Sequence, residues 1–310
     1  MAVLSGLIIA TLASFFQGYL WWLDLFVHFR WQYILASLLV LIFSFSNRRQ
    51  LYLASLILIG NVWGVSHSGF AMTENKGPID DASISLSVVS LNTYVFNKDY
   101  QDIPSFIKTT RADIVILSEL RADWKHSLSP LLALYPFQHQ VTGYAVGEEM
   151  STTLAILSRF PLANPHSSVN PVRRNAYMLA ADVEHPAGVF TVAGVHLSNS
   201  VTPFKATNQK DEVNDLIDWV HAQPHLAFIA GDFNLTPFSN QYQKLLKESG
   251  LAQSKQNYFP TWPSPLVPVG IPIDHILTGP RAQIVEMAVG PAVGSDHRPI
   301  IAKISLNQSR

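Results

Sequence analysis

The chain has 310 residues, no cysteine and little charge. The lack of cysteine excludes disulfide bonds from the forces that hold the fold together. Charged side chains make up 14% of the residues, whereas a soluble chain averages about 25%, so part of this chain must be unusually apolar. Acidic and basic side chains nearly balance, at 22 against 21, which gives no sign of a strongly basic, nucleic-acid-binding protein.

The shortage of charge is concentrated at the beginning of the chain. The first 72 residues carry four formal charges, those of Asp24, Arg30, Arg48 and Arg49. These charges separate three apolar segments that have aromatic residues near their ends. The first is long enough to span a bilayer, which takes about 20 residues, and the other two are near the lower limit. We therefore predict a region of about three transmembrane helices over residues 1–66, with apolar segments Val3–Trp22, Trp31–Ser46 and Leu51–Val65.

Two other interpretations of the apolar region were weighed against membrane insertion. A cleaved signal peptide fits poorly, because no basic stretch precedes Leu4 and two more apolar segments follow. A buried helical hairpin of a soluble domain remains an alternative, although no polar face recurs at helical spacing. With three spans, the positive-inside rule places Arg48 and Arg49 in the cytoplasm and everything after Val65 outside. Arg30, in the first loop, is a single charge that argues the other way.

The remainder of the chain divides into a linker and a large domain. Residues 67–83 are mostly small and polar, as in a linker. Over residues 84–310, strand-like and helix-like runs alternate, which predicts a mixed sheet flanked by helices. The predicted helices cover residues 99–110, 122–134, 208–222 and 240–249, and the predicted strands include 153–157, 178–183, 189–196, 226–230 and 299–304.

Several strand-like runs of the large domain are followed directly by polar side chains. Asn92, Glu119 and His196 each end such a run. Two motifs, Ala-Gly-Asp-Phe-Asn at 230–234 and Gly-Ser-Asp-His-Arg-Pro at 294–299, also follow apolar runs. Strand ends pass into loops at the rim of a sheet, and a buried aspartate is costly unless it is paired or bound to metal. The converging carboxylates therefore suggest a cation site.

The order of these motifs resembles the endonuclease/exonuclease/phosphatase superfamily, which includes DNase I, abasic-site endonucleases, neutral sphingomyelinases and inositol polyphosphate 5-phosphatases. The order is Asn, Glu, His, Asp-x-Asn, Asp-His and Ser-Asp-His, with Asp274 and His275 as the Asp-His pair. The resemblance covers about residues 84–306. It implies a four-layer α/β sandwich, with two packed sheets between helices. It also implies a hydrolase of phosphate esters that depends on Mg²⁺ or Mn²⁺, and with the apolar segments the expectation is a membrane-anchored bacterial member.

The resemblance assigns a metal site to Asn92, Glu119 and Asp296. Glu119 would be the hard oxygen ligand that Mg²⁺ prefers. Asn92 would neighbour the metal or orient its ligand, and Asp296 would approach the metal or its waters. An ordinary strand-end carboxylate is the structural alternative for Glu119, and a turn asparagine is the alternative for Asn92.

The resemblance also implies five catalytic residues. Asp232 would place or deprotonate the attacking water and Asn234 would donate to a phosphoryl oxygen, with a simple Asx turn as the structural alternative. His297 would contact the scissile phosphate while Asp274 holds it. His196 stands where the DNase I and sphingomyelinase branches carry histidine and abasic-site endonucleases carry tyrosine.

Two further residues are candidates for substrate contact. Arg159 closes a Ser-Arg strand end like that of the family, and Trp262 lies in a Thr-Trp-Pro loop like that of many bacterial members. A packed Pro-aromatic loop explains Trp262 equally well. His275 should point away from Asp274 along an extended strand, so we predict that it is structural.

The charge of the large domain bears on its substrate. Without the first 72 residues, 18 basic side chains face 21 acidic ones, a net charge of −3. Proteins that track nucleic acid usually show a basic stripe, so a lipid head group or small phosphodiester fits better than a long nucleic acid. The expected partners are a phosphate-ester substrate and the lipid bilayer, and no protein partner is inferred. The alternative function is a catalytically silent, membrane-anchored binding module with the same fold.

Overall fold

The computed structural model describes residues 2–44, 47–68, 84–97, 101–121, 124–144, 151–170 and 176–306. These residues form an N-terminal helical region and a two-sheet α/β sandwich. Most of the predicted linker, residues 69–83, lies outside the described residues. So do the last four residues of the predicted catalytic domain.

The helical region is held together by a buried arginine. Arg30, which the sequence analysis places in a loop, starts a helix and is buried. Its guanidinium donates to the Asn61 side chain and to the Ser14 carbonyl, each at 3.4 Å. Because these three residues come from three different helices, one side chain ties the region together. The helices are α1 (Ala2–Phe15), α2 (Arg30–Phe43) and α3 (Arg48–His67), and a 3₁₀ helix, Asp24–Phe29, precedes α2.

One helical stretch, Asp24–Phe43, is long and apolar enough to cross a membrane by length and composition. α1 has 14 residues, about 21 Å of helix, which is shorter than the bilayer core of about 30 Å. α3 has 20 residues, but Arg48, Arg49 and Asn61 dilute its apolar character. Within the described residues, the prediction of three spans is therefore corrected to one candidate span.

Two six-stranded sheets build the sandwich. The strands are β1 (Ile84–Asn92), β2 (Ile114–Arg121), β3 (Phe137–Tyr144), β4 (Ser151–Ser158), β5 (Leu162–Val169), β6 (Ala176–His185), β7 (Gly188–His196), β8 (Leu226–Asp232), β9 (Ala252–Gln253), β10 (Asp274–Thr278), β11 (Ala282–Val289) and β12 (Ile300–Leu306). Their orders are β11-β12-β1-β2-β4-β3 and β5-β6-β7-β8-β10-β9.

The pairing directions bring many strand ends to one rim of the sandwich. β1 runs parallel to β2, and β7 runs parallel to β8. β12 is antiparallel to β1, and β10 is antiparallel to β8. The carboxyl ends of β1, β2, β7 and β8 therefore meet the amino ends of β10 and β12. We call this edge the catalytic rim, because the predicted catalytic residues lie at these strand ends.

Three hydrophobic layers separate the sheets and helices. The central layer lies between the two sheets and includes Leu86, Ile116 and Phe228. α4 (Asp102–Thr110) and α5 (Trp124–Leu132) pack on the first sheet, while α6 (Pro203–His221) and α7 (Asn240–Ser249) pack on the second. This is the predicted arrangement of two sheets between helices.

The helical region packs against the sandwich through the segment before α2. Val27 is fully buried in a cluster with Phe238 and Tyr258. Next to it, His28 Nδ1 lies 2.9 Å from the Thr236 hydroxyl. The first residues of the candidate span therefore contact the loops of the sandwich directly.

Candidate active site

The polar side chains predicted from the sequence meet at the catalytic rim. Each lies at a strand end or in the loop that leads to one. Asp274 faces Asp232 directly in the antiparallel register of β10 and β8. The full set is Asn92 at the end of β1, Glu119 near the end of β2, His196 at the end of β7, Asp232 at the end of β8, Asp274 at the start of β10, and Asp296 and His297 just before β12.

Two local features of the backbone aim these side chains. Glu119 has a φ of 54° and lies where the pairing of β2 with β4 shifts register, a bulge that redirects the side chain. Gly231 precedes Asp232 with a φ of 150°. A Cβ at Gly231 would lie 1.9 Å from the Val195 carbonyl oxygen, so only glycine lets β8 run this close to β7.

Asn92 connects the two central carboxylates. Its Nδ2 donates to Glu119 Oε1 at 2.9 Å and to Asp232 Oδ2 at 3.0 Å. Its Oδ1 accepts from the Tyr94 backbone N–H at 2.9 Å, and the Val95 N–H donates to Glu119 Oε2 at 3.0 Å. Because both ends of the Asn92 amide are hydrogen-bonded, Asn92 is well placed to orient the carboxylates of Glu119 and Asp232.

His297 is buried and held by Asp274. The distance from His297 Nδ1 to Asp274 Oδ2 is 2.8 Å, and the Thr261 hydroxyl donates to the same carboxylate. His297 Nε2 lies 3.8 Å from Asp232 Oδ2 and 3.9 Å from Asp296 Oδ1. With Nδ1 bound to Asp274, Nε2 is the atom that faces the carboxylates of Asp232 and Asp296.

His196 and Asn234 complete the rim on the side of the second sheet. His196 Nε2 lies 3.4 Å from Glu119 Oε1 and 3.8 Å from Asp232 Oδ2. The Asn234 backbone N–H donates to Asp232 Oδ1 at 2.8 Å, which is the Asx turn that the sequence analysis left open. Asn234 Nδ2 donates to the Leu197 carbonyl at 2.8 Å, and its second N–H is left for another acceptor.

The site places the positive charge of His297 next to two aspartates whose pKa is raised by burial. Desolvation raises the pKa of Asp232 to about 6, although the charge of His297 opposes this shift. Burial works against the charged form of His297, but Asp274 and Asp232 outweigh it and raise its pKa to about 10. Desolvation also raises the pKa of Asp296. At neutral pH His297 is therefore an imidazolium, next to an Asp232 that titrates close to that pH.

The donor set at the rim fits a divalent cation. Glu119, His196 and Asp232 each place one ligand atom so that the three atoms lie within 4.8 Å of one another. Burial opposes the charge of Glu119, but His196 and the hydrogen bond from Asn92 outweigh it and lower its pKa. Asp296 Oδ1 is buried without a hydrogen-bond partner among the described residues. A buried carboxylate oxygen without a hydrogen bond is costly, and its ion-pair contact with His297 Nε2 is long, at 3.9 Å.

The structure brings one of the two predicted substrate contacts to the site. Trp262 lines a cavity over the rim together with Glu119 and His297, and its indole N–H donates to Asp296 Oδ2 at 3.0 Å. Arg159 instead follows β4 at the opposite rim, with its guanidinium 3.5 Å from Asp113 Oδ1. Because β4 is antiparallel to β2, its carboxyl end lies at the amino end of β2, away from Glu119. The predicted substrate contact of Arg159 is therefore corrected.

His275 lies on the other face of β10 from Asp274. Its Nε2 is 2.7 Å from the Leu235 carbonyl oxygen, and its ring packs against those of Phe233 and Tyr242. Complete burial lowers its pKa to about 4. The neutral, fully packed ring agrees with the predicted structural role.

The sequence analysis missed the part of the site that the N-terminal region contributes. A cavity of about 600 Å³ lies over the catalytic side chains, and Leu25, His28 and Phe29 line it. It also missed Thr261 as a partner of Asp274. In the sequence, the one local sign that the N-terminal region contributes to the site is His28, a polar residue within an otherwise apolar stretch.

A family model supplies the classification of the sandwich. The model of the endonuclease/exonuclease/phosphatase family matches residues 89–297, more than half of the chain. The chain belongs to this family. The matched range runs from β1 to His297 and so contains every predicted metal and catalytic residue. No curated protein matches the sequence.

Solved structures of the family share the fold at low sequence identity. An endonuclease/exonuclease/phosphatase from Beutenbergia cavernae DSM 12333 is 20% identical with a TM-score of 0.63, over 72% of each chain. The 3′ phosphatase NExo from Neisseria, bound to a product DNA hairpin, is 20% identical with a TM-score of 0.55, over 70% of this chain and 98% of that one. Sphingomyelinase C from Streptomyces griseocarneus is 16% identical with a TM-score of 0.55, over 71% of this chain and 99% of that one.

Proposed function

We propose that this protein is a divalent-metal-dependent hydrolase of phosphate esters that is anchored to a membrane. The observation that carries the hydrolase proposal is the buried group of Asp232, His297 and Asp274, joined through Asn92 to Glu119. Similar folds named as a 3′ phosphatase and a sphingomyelinase C act on phosphate esters, which supports the same reaction class for this chain.

Some side chains of the rim would act on the attacking water and others on the phosphate. Asp232 is the candidate to orient the attacking water and accept its proton, because its raised pKa makes it a stronger base than an ordinary aspartate. His297 presents a positively charged Nε2–H, and His196 and Asn234 can add donors to the developing charge on the phosphoryl oxygens. Asp274 fixes the tautomer and orientation of His297.

Glu119 and Asp296 are the residues that would hold the metal, with His196 and Asp232 at its edge and Asn92 fixing the carboxylates. When bound, Mg²⁺ or Mn²⁺ would polarise the phosphoryl oxygen and screen the charge of the leaving oxygen. The orphaned Asp296 Oδ1 supports this assignment from the structure itself.

Membrane anchoring is supported by the surface of the helical region. Apolar side chains project from all three helices, with exposed fractions as high as 79% at Phe43 and 70% at Val3. Exposed apolar area of this extent is unusual for a soluble surface. The sandwich contacts the start of the candidate span and the end of α3, which packs beside α2. Arg48 and Arg49 lie at the opposite end of this helix pair, in the first turn of α3. By the positive-inside rule, the sandwich is then extracytoplasmic.

The reaction class is tested with the full chain in detergent micelles. We expect Mg²⁺- or Mn²⁺-dependent release of p-nitrophenol from bis(p-nitrophenyl) phosphate or p-nitrophenyl phosphate, abolished by EDTA and by Asp232→Asn. Binding of phosphate esters without any turnover would instead support the catalytically silent module. For orientation, alkaline phosphatase fused after Arg310 should be active in bacterial cells, and a well-expressed but inactive fusion would reverse the topology.

A further inference from the structure

The catalytic cavity has a wall that does not belong to the sandwich. Its floor is formed by the rim residues, among them Glu119 and His297, and its wall includes Leu25, His28 and Phe29 from the 3₁₀ helix Asp24–Phe29. This short helix therefore does more than connect the anchor to the enzyme, because it closes one side of the space in which a substrate would lie.

Several contacts fix this wall in place. The His28 ring meets the Thr236 hydroxyl at 2.9 Å, and Val27 is fully buried against the sandwich. One turn later, Gln32 Nε2 donates to the Val269 and Gly270 carbonyls at 2.9 and 2.7 Å. Leu25 and Phe29 are thus held over the cavity by neighbours on both sides.

The cavity lining is mainly apolar away from its floor, although Ser198, Asn199 and Ser200 also line it. Leu25 and Phe29 line it together with Phe96, Val201 and Ile271. Among the described residues that line it, Lys205 is the single lysine or arginine. Nucleic acids bind chiefly through several phosphate contacts to lysine and arginine, so this lining fits a ligand with one phosphate group and an apolar remainder.

Aromatic side chains near the cavity suit a position at a bilayer surface. Tyr19 and Trp22, in the turn before the 3₁₀ helix, are exposed by 80% and 44%. Aromatic side chains of this kind favour the interface between lipid and water. At the end of α3, the Tyr258 hydroxyl of the sandwich donates to the Ser68 carbonyl at 2.8 Å. The sandwich thus joins the helical region at its aromatic end, where lipid head groups would lie.

We propose that Leu25 and Phe29 bind the apolar chain of a membrane lipid whose phosphate ester is hydrolysed at the catalytic rim. This inference rests on the proposed hydrolase function and adds the substrate class and two substrate-binding residues. The 3₁₀ helix joins anchor and enzyme, so a lipid leaving the bilayer moves along Leu25 and Phe29 as its phosphate enters between His196 and His297.

The test measures how much an alkyl chain on the substrate helps the full-length protein, reconstituted in dioleoylphosphatidylcholine vesicles. Two pairs of esters are compared: methyl and decyl p-nitrophenyl phosphate, and methyl and decyl phosphate. p-Nitrophenol is measured for the first pair and inorganic phosphate for the second. The decyl-to-methyl ratio of kcat/KM is the readout, because partitioning of the decyl ester into the vesicle affects every variant equally.

We expect Leu25→Ser and Phe29→Ser to lower this ratio by on the order of tenfold, since one buried methylene is worth about a fourfold preference. Leu25→Trp, which fills the cavity, should lower it in the same way. A circular dichroism spectrum and a melting temperature like those of the wild type show that each variant is folded. The matched control is Phe137→Ser on strand β3, because Phe137 is 37% exposed and Phe29 is 38% exposed. This control should leave the ratio unchanged.

The outcomes separate this inference from the function on which it rests. If the wild type hydrolyses the methyl esters but shows no preference for the decyl chain, the lipid assignment is overturned while the hydrolase stands. The same conclusion follows if the ratio is equal in all variants, or if a single-stranded oligonucleotide is cleaved faster than the decyl esters. If the wild type hydrolyses no ester, the proposed hydrolase function itself fails.

Discussion

Replacement of Asp274 by asparagine isolates the charge that holds His297 in place. The Asp274 carboxylate is buried, accepts from His297 Nδ1 at 2.8 Å and from the Thr261 hydroxyl, and contributes to the raised pKa of His297. Asparagine keeps the size and one acceptor oxygen but removes the negative charge. A hydrogen bond to a charged group is worth about 1.5–3 kcal/mol, and each 1.36 kcal/mol is tenfold in rate. We therefore expect kcat to fall by roughly 10- to 100-fold.

The pH dependence distinguishes this mechanism from simple misfolding. In the wild type, the pKa of about 10 keeps His297 protonated throughout the neutral range. Without the Asp274 charge, burial favours the neutral ring, so the variant should regain protonated His297 only as the pH falls. The variant-to-wild-type ratio of kcat should thus rise between pH 8 and pH 6.5, measured with bis(p-nitrophenyl) phosphate. Asp211→Asn, on the exposed face of α6, is the control. A constant ratio, or an undiminished kcat, would refute the reasoning.

Three further predictions concern other residues of the rim and its surroundings. Glu119→Gln should lower kcat on the order of 10²-fold at moderate Mg²⁺, because metal stabilisation is worth several kcal/mol; wild-type rates at saturating Mg²⁺ would remove Glu119 from the site. His297→Ala and Asp232→Asn should each nearly abolish turnover, and the double variant should be little worse than the worse single one, because groups that act as a unit are non-additive; losses that multiply would show independent action. His275→Asn should lower the free energy of unfolding by about 1–3 kcal/mol, because the hydrogen bond to Leu235 is lost. The folded variant should keep its kcat, and a stable but inactive variant would contradict the structural role.

The sequence predicts the elements whose signal is local. α7 is observed over the predicted residues 240–249. Both of its ends can be recognised from the sequence, and Gly250 marks the C-terminal one. α6 begins at Pro203, earlier than predicted, because Thr202 caps it by accepting from the Lys205 N–H at 3.2 Å. Strand β5 was not predicted, since Leu162–Val169 is mostly exposed and forms a strand by pairing with β6.

The site shows the same division between local and long-range information. The order of the motifs identifies Glu119, Asp232 and His297, because each follows an apolar run or lies in a compact motif. The distances between them depend on strand register and direction, which one sequence does not state. Arg159 illustrates this limit: its Ser-Arg motif matches the family, but the antiparallel direction of β4 places it at the opposite rim.

The seating of Val27 against Phe238 and Tyr258 has a consequence for any shortened form of this protein. A fragment that begins at the sandwich would uncover those two aromatic rings and leave the Thr236 hydroxyl without His28. Such a fragment would expose a new apolar surface beside the catalytic rim, and its cavity would lack one side. Deletion of the helical region would therefore change the cavity, and the substrate preference of the fragment would say little about that of the intact chain.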